Sequence, residues 1–250
     1  MNKCRKSLFF SLSLLPIAIV GGIFVMLYQI DLYPAEMLEP AIEQLGSVGV
    51  LVAITALQTV FYALFCGFIG SLLSQQIGLW KRFTLSKQSV TVTLLLSVLM
   101  GVLFSLDYWT FGAAIPLIRE SASVGVTASG VIASVLYGGV IEEVMLRLFF
   151  LSLVAWVLWK VFFRKREKLT DGIFWAANIL AAILFAAGHL PATAATFGEL
   201  TPLLLIRCFL LNGGFAIGFG WLYKKYGIGY AMLSHALVHI VSKLIWWVLI

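Results

Sequence analysis

Long apolar runs decide what this chain can fold into. A helix needs about 20 apolar residues to cross the hydrocarbon core of a bilayer, and runs of that order recur along the whole sequence. Their approximate bounds are residues 7–30, 48–74, 89–106, 124–162, 173–190, 201–223 and 228–249. Only 11% of the residues are charged, whereas a soluble domain carries about 25%. We therefore predict an all-α fold, a polytopic transmembrane helix bundle of about seven spans.

Lysine and arginine are concentrated in every second connection between these runs, which predicts the orientation. Short loops rich in Lys and Arg stay on the cytoplasmic side of a membrane. The basic residues are Lys3, Arg5, Lys6, Lys81, Arg82, Lys87, Lys160, Arg164, Lys165, Arg166, Lys168, Lys224 and Lys225. We expect a cytoplasmic N-terminus and a multi-pass protein of a prokaryotic plasma membrane. The net charge of +6 then reflects topology, so we expect the lipid bilayer and no nucleic acid as a partner.

The first and fourth runs differ from simple spans. The first follows a basic segment, as in a signal peptide, but it is longer than the usual apolar part and lacks a small-residue cleavage site at its end. We interpret it as a retained transmembrane helix. The fourth is too long for one simple span, so either it projects into the cytosol or it breaks at Gly138-Gly139. The loops are short, and we predict a single membrane domain over residues 1–250.

Ionisable residues inside these runs are the candidates for function. The only histidines, His189, His235 and His239, all lie in apolar stretches, as does the pair Glu142-Glu143. Ionisable groups are costly in a bilayer and commonly mark a function there. Counted inward from the aromatic residues near the cytoplasmic boundary, all of them lie at a depth of about 20 Å. We therefore expect three separate helices to carry their ionisable residues at one level.

Local spacing separates the two glutamates. Glu143 and Arg147 are four residues apart, so they share a helical face and can neutralise each other. Glu142 points about 100° away and has no cation at that spacing. It is the freer carboxylate and the candidate general base, the alternative being a hydrogen-bonded structural acid.

The histidines leave the question of a metal open. His235 and His239 are four residues apart on one face, which is a spacing that can bind a zinc ion. His189 is the third candidate ligand. The same side chains can instead hold and activate a water and stabilise an oxyanion without a metal.

Three motifs then resemble those of a known family. Glu142-Glu143-x3-Arg147, Phe185-x3-His189 and His235-x3-His239 follow one another on separate apolar stretches. This order is similar to that of the CPBP family. Its members are intramembrane proteases related to the type II CAAX prenyl endopeptidases and to the Abi proteins of bacteriocin processing and self-immunity. The resemblance covers residues 124–245, which it implies are the catalytic core, and leaves residues 1–123 as N-terminal transmembrane helices.

The resemblance also implies roles for the motif residues. Glu142 would activate the attacking water with help from His189, and His235 would lie near the oxyanion. Glu143 and Arg147 would support the site. The family usually has asparagine where this chain has His239, a change that favours a metal ligand at this position.

The function expected from these residues is that of an intramembrane endopeptidase. Its substrate would be a membrane-associated peptide or a lipidated protein, processed as a CAAX sequence or as a leader or bacteriocin peptide. A second hypothesis is a non-catalytic self-immunity protein of the same fold that binds a bacteriocin. A third is a transporter or proton pathway, which the lack of a repeat and the crowding of polar residues into the C-terminal half disfavour.

Overall fold

The computed structural model describes residues 2–165 and 167–250. Arg166, one of the basic residues behind the predicted orientation, thus lies outside the described residues, as does Met1. Within the described residues there are helices and no strand, and seven helices are long and apolar enough to cross a membrane. The predicted all-α bundle of about seven spans is confirmed, and the chain is an integral, multi-pass membrane protein. Its orientation stays a prediction.

Ten helices describe the architecture of this part of the chain. They are α1 (Lys3–Leu32), α2 (Ala35–Leu45), α3 (Val48–Gln76), α4 (Lys87–Ser105), α5 (Pro116–Gly125), α6 (Ala128–Phe162), α7 (Asp171–Gly188), α8 (Leu190–Phe197), α9 (Pro202–Tyr226) and α10 (Ile228–Leu249). The spans are α1, α3, α4, α6, α7 with α8, α9 and α10. Helical turns at Leu106–Tyr108 and Phe111–Ala114 lead from α4 to α5.

Serine and threonine caps explain where several of these helices begin. The side-chain oxygens accept hydrogen bonds from the backbone N–H three residues on, which satisfies a donor left free by the helix. The capping residues are Ser47, Ser86, Thr127, Thr170 and Thr201, before α3, α4, α6, α7 and α9. Each such cap typically stabilises a helix by about 1 kcal/mol. The turn from α9 to α10 is made at Gly227, where φ is +99°, a conformation that favours glycine.

Helix α6 corresponds to the fourth apolar run, for which the sequence left open a break at Gly138-Gly139. It is a continuous helix of 35 residues and does not break at Gly138-Gly139. Its backbone is π-helical over Ser134–Glu142 and again over Val144–Leu151, a geometry that is frequent at functional sites. Gly139 serves close packing, because a Cβ there would lie 2.7 Å from the Cβ of Ala236. Helices α6 and α10 therefore approach closely at the level of the glutamates.

The centre of the bundle is α6. It packs against α3, α7 and α10, while α4 packs on α10 and α1 on α3. Ile141, Val144, Leu148 and Leu151 are fully buried along one side of α6. Large apolar side chains such as Leu57 and Leu95 are exposed on the outside of the bundle, as a bilayer solvent requires. The polar motifs are thus held on the central helix and on two of its neighbours.

Candidate active site

Four of the predicted residues line one cavity inside the bundle. Glu142 comes from α6, His189 from the junction of α7 and α8, and His235 and His239 from α10. The cavity has a volume of about 230 Å³. Residues from distant parts of the sequence therefore meet at one cavity, which their common depth allowed but did not by itself predict.

Glu142 and His189 face each other across this cavity. Oε1 of Glu142 lies 3.8 Å from Nε2 of His189, and the two side chains are 17% and 31% exposed. Nδ1 of His189 is 2.8 Å from the carbonyl oxygen of Phe185. A carbonyl only accepts, so Nδ1 carries the hydrogen and Nε2 of the neutral ring is an acceptor. The gap of 3.8 Å is too long for a direct hydrogen bond and suits a bridging water.

Glu143 lies behind the cavity wall in a buried cluster. Its Oε1 is 3.2 Å from Nη1 of Arg147 and accepts a hydrogen bond of 2.8 Å from Nδ1 of His235. Neither Glu143 nor Arg147 reaches the surface. The pairing expected from the i, i+4 spacing is present, and the contact with His235 was not predicted. Glu143 therefore both neutralises the arginine and orients a cavity histidine.

Aromatic rings enclose the charged end of Arg147. Its Cζ lies 4.6 Å from the ring centre of Phe185 and 5.5 Å from that of Phe219. A guanidinium over an aromatic face is stabilised by the ring quadrupole, more strongly when water is excluded. Phe219 also stacks on His235, with ring centres 4.5 Å apart. The aromatic residues thus hold the arginine and the histidine in fixed positions.

His239 and Gly138 shape the space next to Glu142. A Cβ built on Gly138 would lie 3.2 Å from Nε2 of His239 and 3.9 Å from Oε2 of Glu142. The absence of a side chain at this position therefore leaves room between the carboxylate and the imidazole. A substrate main chain can approach both groups through that room.

The three histidines, as arranged, do not fit a zinc ion. Among the residues described, no group of three or more His, Cys, Asp or Glu side chains is placed to hold a metal. The rings of His235 and His239 are stacked, with centres 5.0 Å apart and planes 28° apart. Zinc needs nitrogen lone pairs that converge on one point at about 2.0–2.1 Å, and lone pairs in the planes of stacked rings do not converge. The involvement of zinc stays a prediction.

The structure adds cavity residues that the sequence reasoning missed. Val25 and Tyr28 of α1, Phe104 of α4 and Asn212 of α9 line the same cavity. The first three are uncharged residues of apolar runs, so nothing in their sequence surroundings marked them as functional. Asn212 was visible as a polar residue in an apolar run, but nothing in the sequence indicated which helix it faces. The N-terminal helices therefore contribute to the site.

The structure thus defines a multi-pass membrane protein in which a carboxylate and three imidazoles line one cavity of the bundle. Residues 125–241 match the family model described as type II CAAX prenyl endopeptidase Rce1-like. The match supports the CPBP family of CAAX-type proteases for this part of the chain, and the resemblance seen in the motifs is confirmed. The family implies peptide-bond hydrolysis within the membrane. Comparisons with curated proteins and with solved structures gave no match.

Proposed function

We propose that this chain is an intramembrane endopeptidase in which Glu142 activates a water without a metal ion. The observation that carries the proposal is the 3.8 Å separation of Glu142 Oε1 and His189 Nε2 at a cavity inside the bundle. A water about 2.8 Å from both acceptors can donate one hydrogen to each. The water is then held with a lone pair free to attack a carbonyl carbon.

The reaction follows from this arrangement. Glu142 takes a proton from the water as the oxygen attacks the peptide carbonyl, and a tetrahedral oxyanion forms. The proton on Glu142 then passes to the leaving nitrogen as the carbon–nitrogen bond breaks. Water supplies the hydroxyl of the new acid and both of its hydrogens are accounted for, so no redox partner is required.

The oxyanion would be stabilised from α10. Nε2 of His239 lies next to the space above Gly138 and can donate a hydrogen bond when it is the protonated nitrogen of the ring. His235 gives its Nδ1 hydrogen to Glu143, which fixes the orientation of the ring beside His239. Glu143 and Arg147 act through His235 and are positioning residues.

The surroundings of the cavity support a class of substrate. Phe104, Phe185, Phe215 and Val238 make much of its lining apolar, which suits a membrane-associated peptide or the tail of a lipidated protein. We propose CAAX-type processing or cleavage of a leader or bacteriocin peptide, in a prokaryotic plasma membrane with the basic loops in the cytoplasm.

The proposal is tested with purified protein in lipid nanodiscs. The probes are an internally quenched library of ten-residue peptides and a prenylated CAAX peptide, each with wild type and Glu142→Gln. We expect cleavage by the wild type alone, a metal content well below one ion per chain, and no effect of a chelator. Stoichiometric zinc with chelator-sensitive cleavage would replace the metal-free mechanism. Bacteriocin protection of cells that survives Glu142→Gln, without any cleavage, would support the self-immunity alternative.

A further inference from the structure

The active-site cavity continues into a second lobe of about 170 Å³. Both lobes are lined by His189 and Asn212, so the two spaces meet beside the proposed water site. Residues found only in the second lobe include Ser121, Thr193, Thr196 and Arg207. The second lobe is therefore more polar than the first and lies where a substrate would extend past the reacting bond.

Arg207 is held rigidly at the edge of this lobe. Its Nε and Nη2 donate to the carboxylate of Asp107 at 2.8 and 2.6 Å, and its Cζ lies 5.0 Å from the ring centre of Phe197. The opposite charges of Arg207 and Asp107 cancel. Asp107 is 2% exposed, so the surrounding protein fixes the geometry of the pair. Nη1, on the edge away from the carboxylate, is the part of the guanidinium left to donate to another group.

The other polar groups of the lobe offer acceptors. The hydroxyl hydrogens of Ser121, Thr193 and Thr196 are donated to carbonyls of their own helices at 2.8–2.9 Å, which leaves the oxygen lone pairs. The amide nitrogen of Asn212 donates to the carbonyl of Cys208 at 3.1 Å, which leaves Oδ1. The second lobe thus presents a row of acceptors, with Arg207 and the hydroxyl of Tyr28 as donors.

This pattern matches a peptide main chain better than a bare anion. An anion would meet a row of oxygen acceptors and a cation that Asp107 already neutralises. A peptide chain brings N–H groups for the acceptors and carbonyls for the donors. We propose that the second lobe is a subsite for the substrate main chain on one side of the scissile bond. Peptide N–H groups donate to Asn212 and Thr196, and a peptide carbonyl accepts from Arg207. A free carboxyl terminus is not required. The inference rests on the proposed function and names how that site holds its substrate.

The test couples a change in the protein to a change in the peptide. The probe is a ten-residue peptide cleaved by the wild type, prepared with each backbone amide N-methylated in turn and with a free or an amidated carboxyl terminus. The variants are Asn212→Leu and Thr196→Val. Thr55→Val is the matched control, because its hydroxyl makes the same bond to the carbonyl four residues back but lies on α3, outside both lobes. Cleavage is measured as kcat/KM, and binding to the same proteins carrying Glu142→Gln is measured by fluorescence anisotropy.

We expect one N-methyl position to lower kcat/KM and affinity about tenfold, the worth of a hydrogen bond of roughly 1.4 kcal/mol. The same N-methylation should have no further effect in Asn212→Leu. The Thr55→Val protein should have the same kcat/KM as the wild type. The peptide with an amidated carboxyl terminus should be cleaved as fast as the peptide with a free one. If N-methylation lowers kcat/KM equally in the wild type and in Asn212→Leu, the subsite proposal is wrong, although the proposed protease function stands. The subsite proposal is also wrong if cleavage strictly requires a free carboxyl terminus.

Failure of the protease and failure of the subsite are distinguishable. If the wild type cleaves no peptide, the proposed function is wrong, and the probe becomes a peptide enriched from the same library by the Glu142→Gln protein. Coupling between Asn212 and one amide in that binding measurement would still support the subsite. If no peptide is enriched, the subsite is wrong as well.

Discussion

Glu142 and Glu143 are neighbours in sequence but belong to two regions with opposite physical character. Glu143, Arg147 and His235 form a closed cluster in which the glutamate is fully buried and touches both of the others. Glu142 and His189 form an open region on the cavity, partly exposed and 3.8 Å apart. In the closed region the opposite charges are paired with each other inside the protein, whereas in the open region Glu142 and His189 are left for water and substrate.

The two neighbouring glutamates of one short motif therefore have different roles, Glu143 in stability and Glu142 in chemistry. A buried charge is tolerated in a bundle only when it is paired, so the closed region has to be complete before any substrate arrives. A general base has to be reachable by the water that it deprotonates, so Glu142 cannot be closed in the same way. We expect changes in the closed region to act on folding and changes in the open region to act on catalysis.

The largest effect is expected from Glu142→Gln. Loss of a general base should lower kcat by about 10³-fold, while the thermal unfolding midpoint in detergent stays that of the wild type because Arg147 has its direct ion pair with Glu143 and not with Glu142. Peptide cleavage and tryptophan fluorescence on heating measure the two quantities. Glu120→Gln, at an exposed position, is the control. A clearly lower unfolding midpoint in Glu142→Gln would show that Glu142 contributes to stability as the closed region does.

Arg147→Met is expected to show the opposite pattern. It leaves the buried carboxylate of Glu143 without its cation, and breaking such a pair costs about 3–5 kcal/mol. The measurement is the unfolding midpoint in detergent, with Arg5→Met at an exposed position as the control. Unchanged stability together with lost cleavage would contradict the division between the two regions.

His189→Leu should have a smaller effect on the open region. It removes the acceptor opposite Glu142, and we expect kcat to fall about 10²-fold. The lost bond to the Phe185 carbonyl should cost only about 1 kcal/mol of stability. Comparing kcat and the unfolding midpoint of this variant with those of Glu142→Gln measures how much the histidine adds. Equal activity in His189→Leu and wild type would remove His189 from the mechanism.

The adjacent glycines give the smallest and most direct contrast. In Gly138→Ala the new methyl group lies in the space between Glu142 and His239, so kcat/KM should fall about tenfold with stability unchanged. In Gly139→Ala it meets the backbone of α10 at 2.9 Å, and overpacking should lower stability by about 1–3 kcal/mol. Both quantities are measured for both variants. If Gly138→Ala and Gly139→Ala change kcat/KM and stability by the same amounts, the two glycines do not belong to different regions.

Much of the fold and part of the candidate site follow from the amino-acid sequence. The apolar runs predict the spans, because a bilayer demands long helices that satisfy their own backbone. The i, i+4 spacing predicts the contact between Glu143 and Arg147, because helical geometry is local. The contacts of Val25, Tyr28, Phe104 and Asn212 could not be predicted, since they depend on which helices are neighbours and on how each is rotated.

The sequence alone determined that the chain is a membrane bundle with its ionisable groups at one depth, because hydropathy and rise per residue are properties of single helices. Only the tertiary structure decided that His235 turns towards Glu143 while His189 faces Glu142, because side chains from different helices meet through packing. The tertiary structure also places a second cavity lobe, lined by Arg207 and Asn212, next to the first. The rotation of each helix about its axis, which no local pattern records, separates the closed region from the open one.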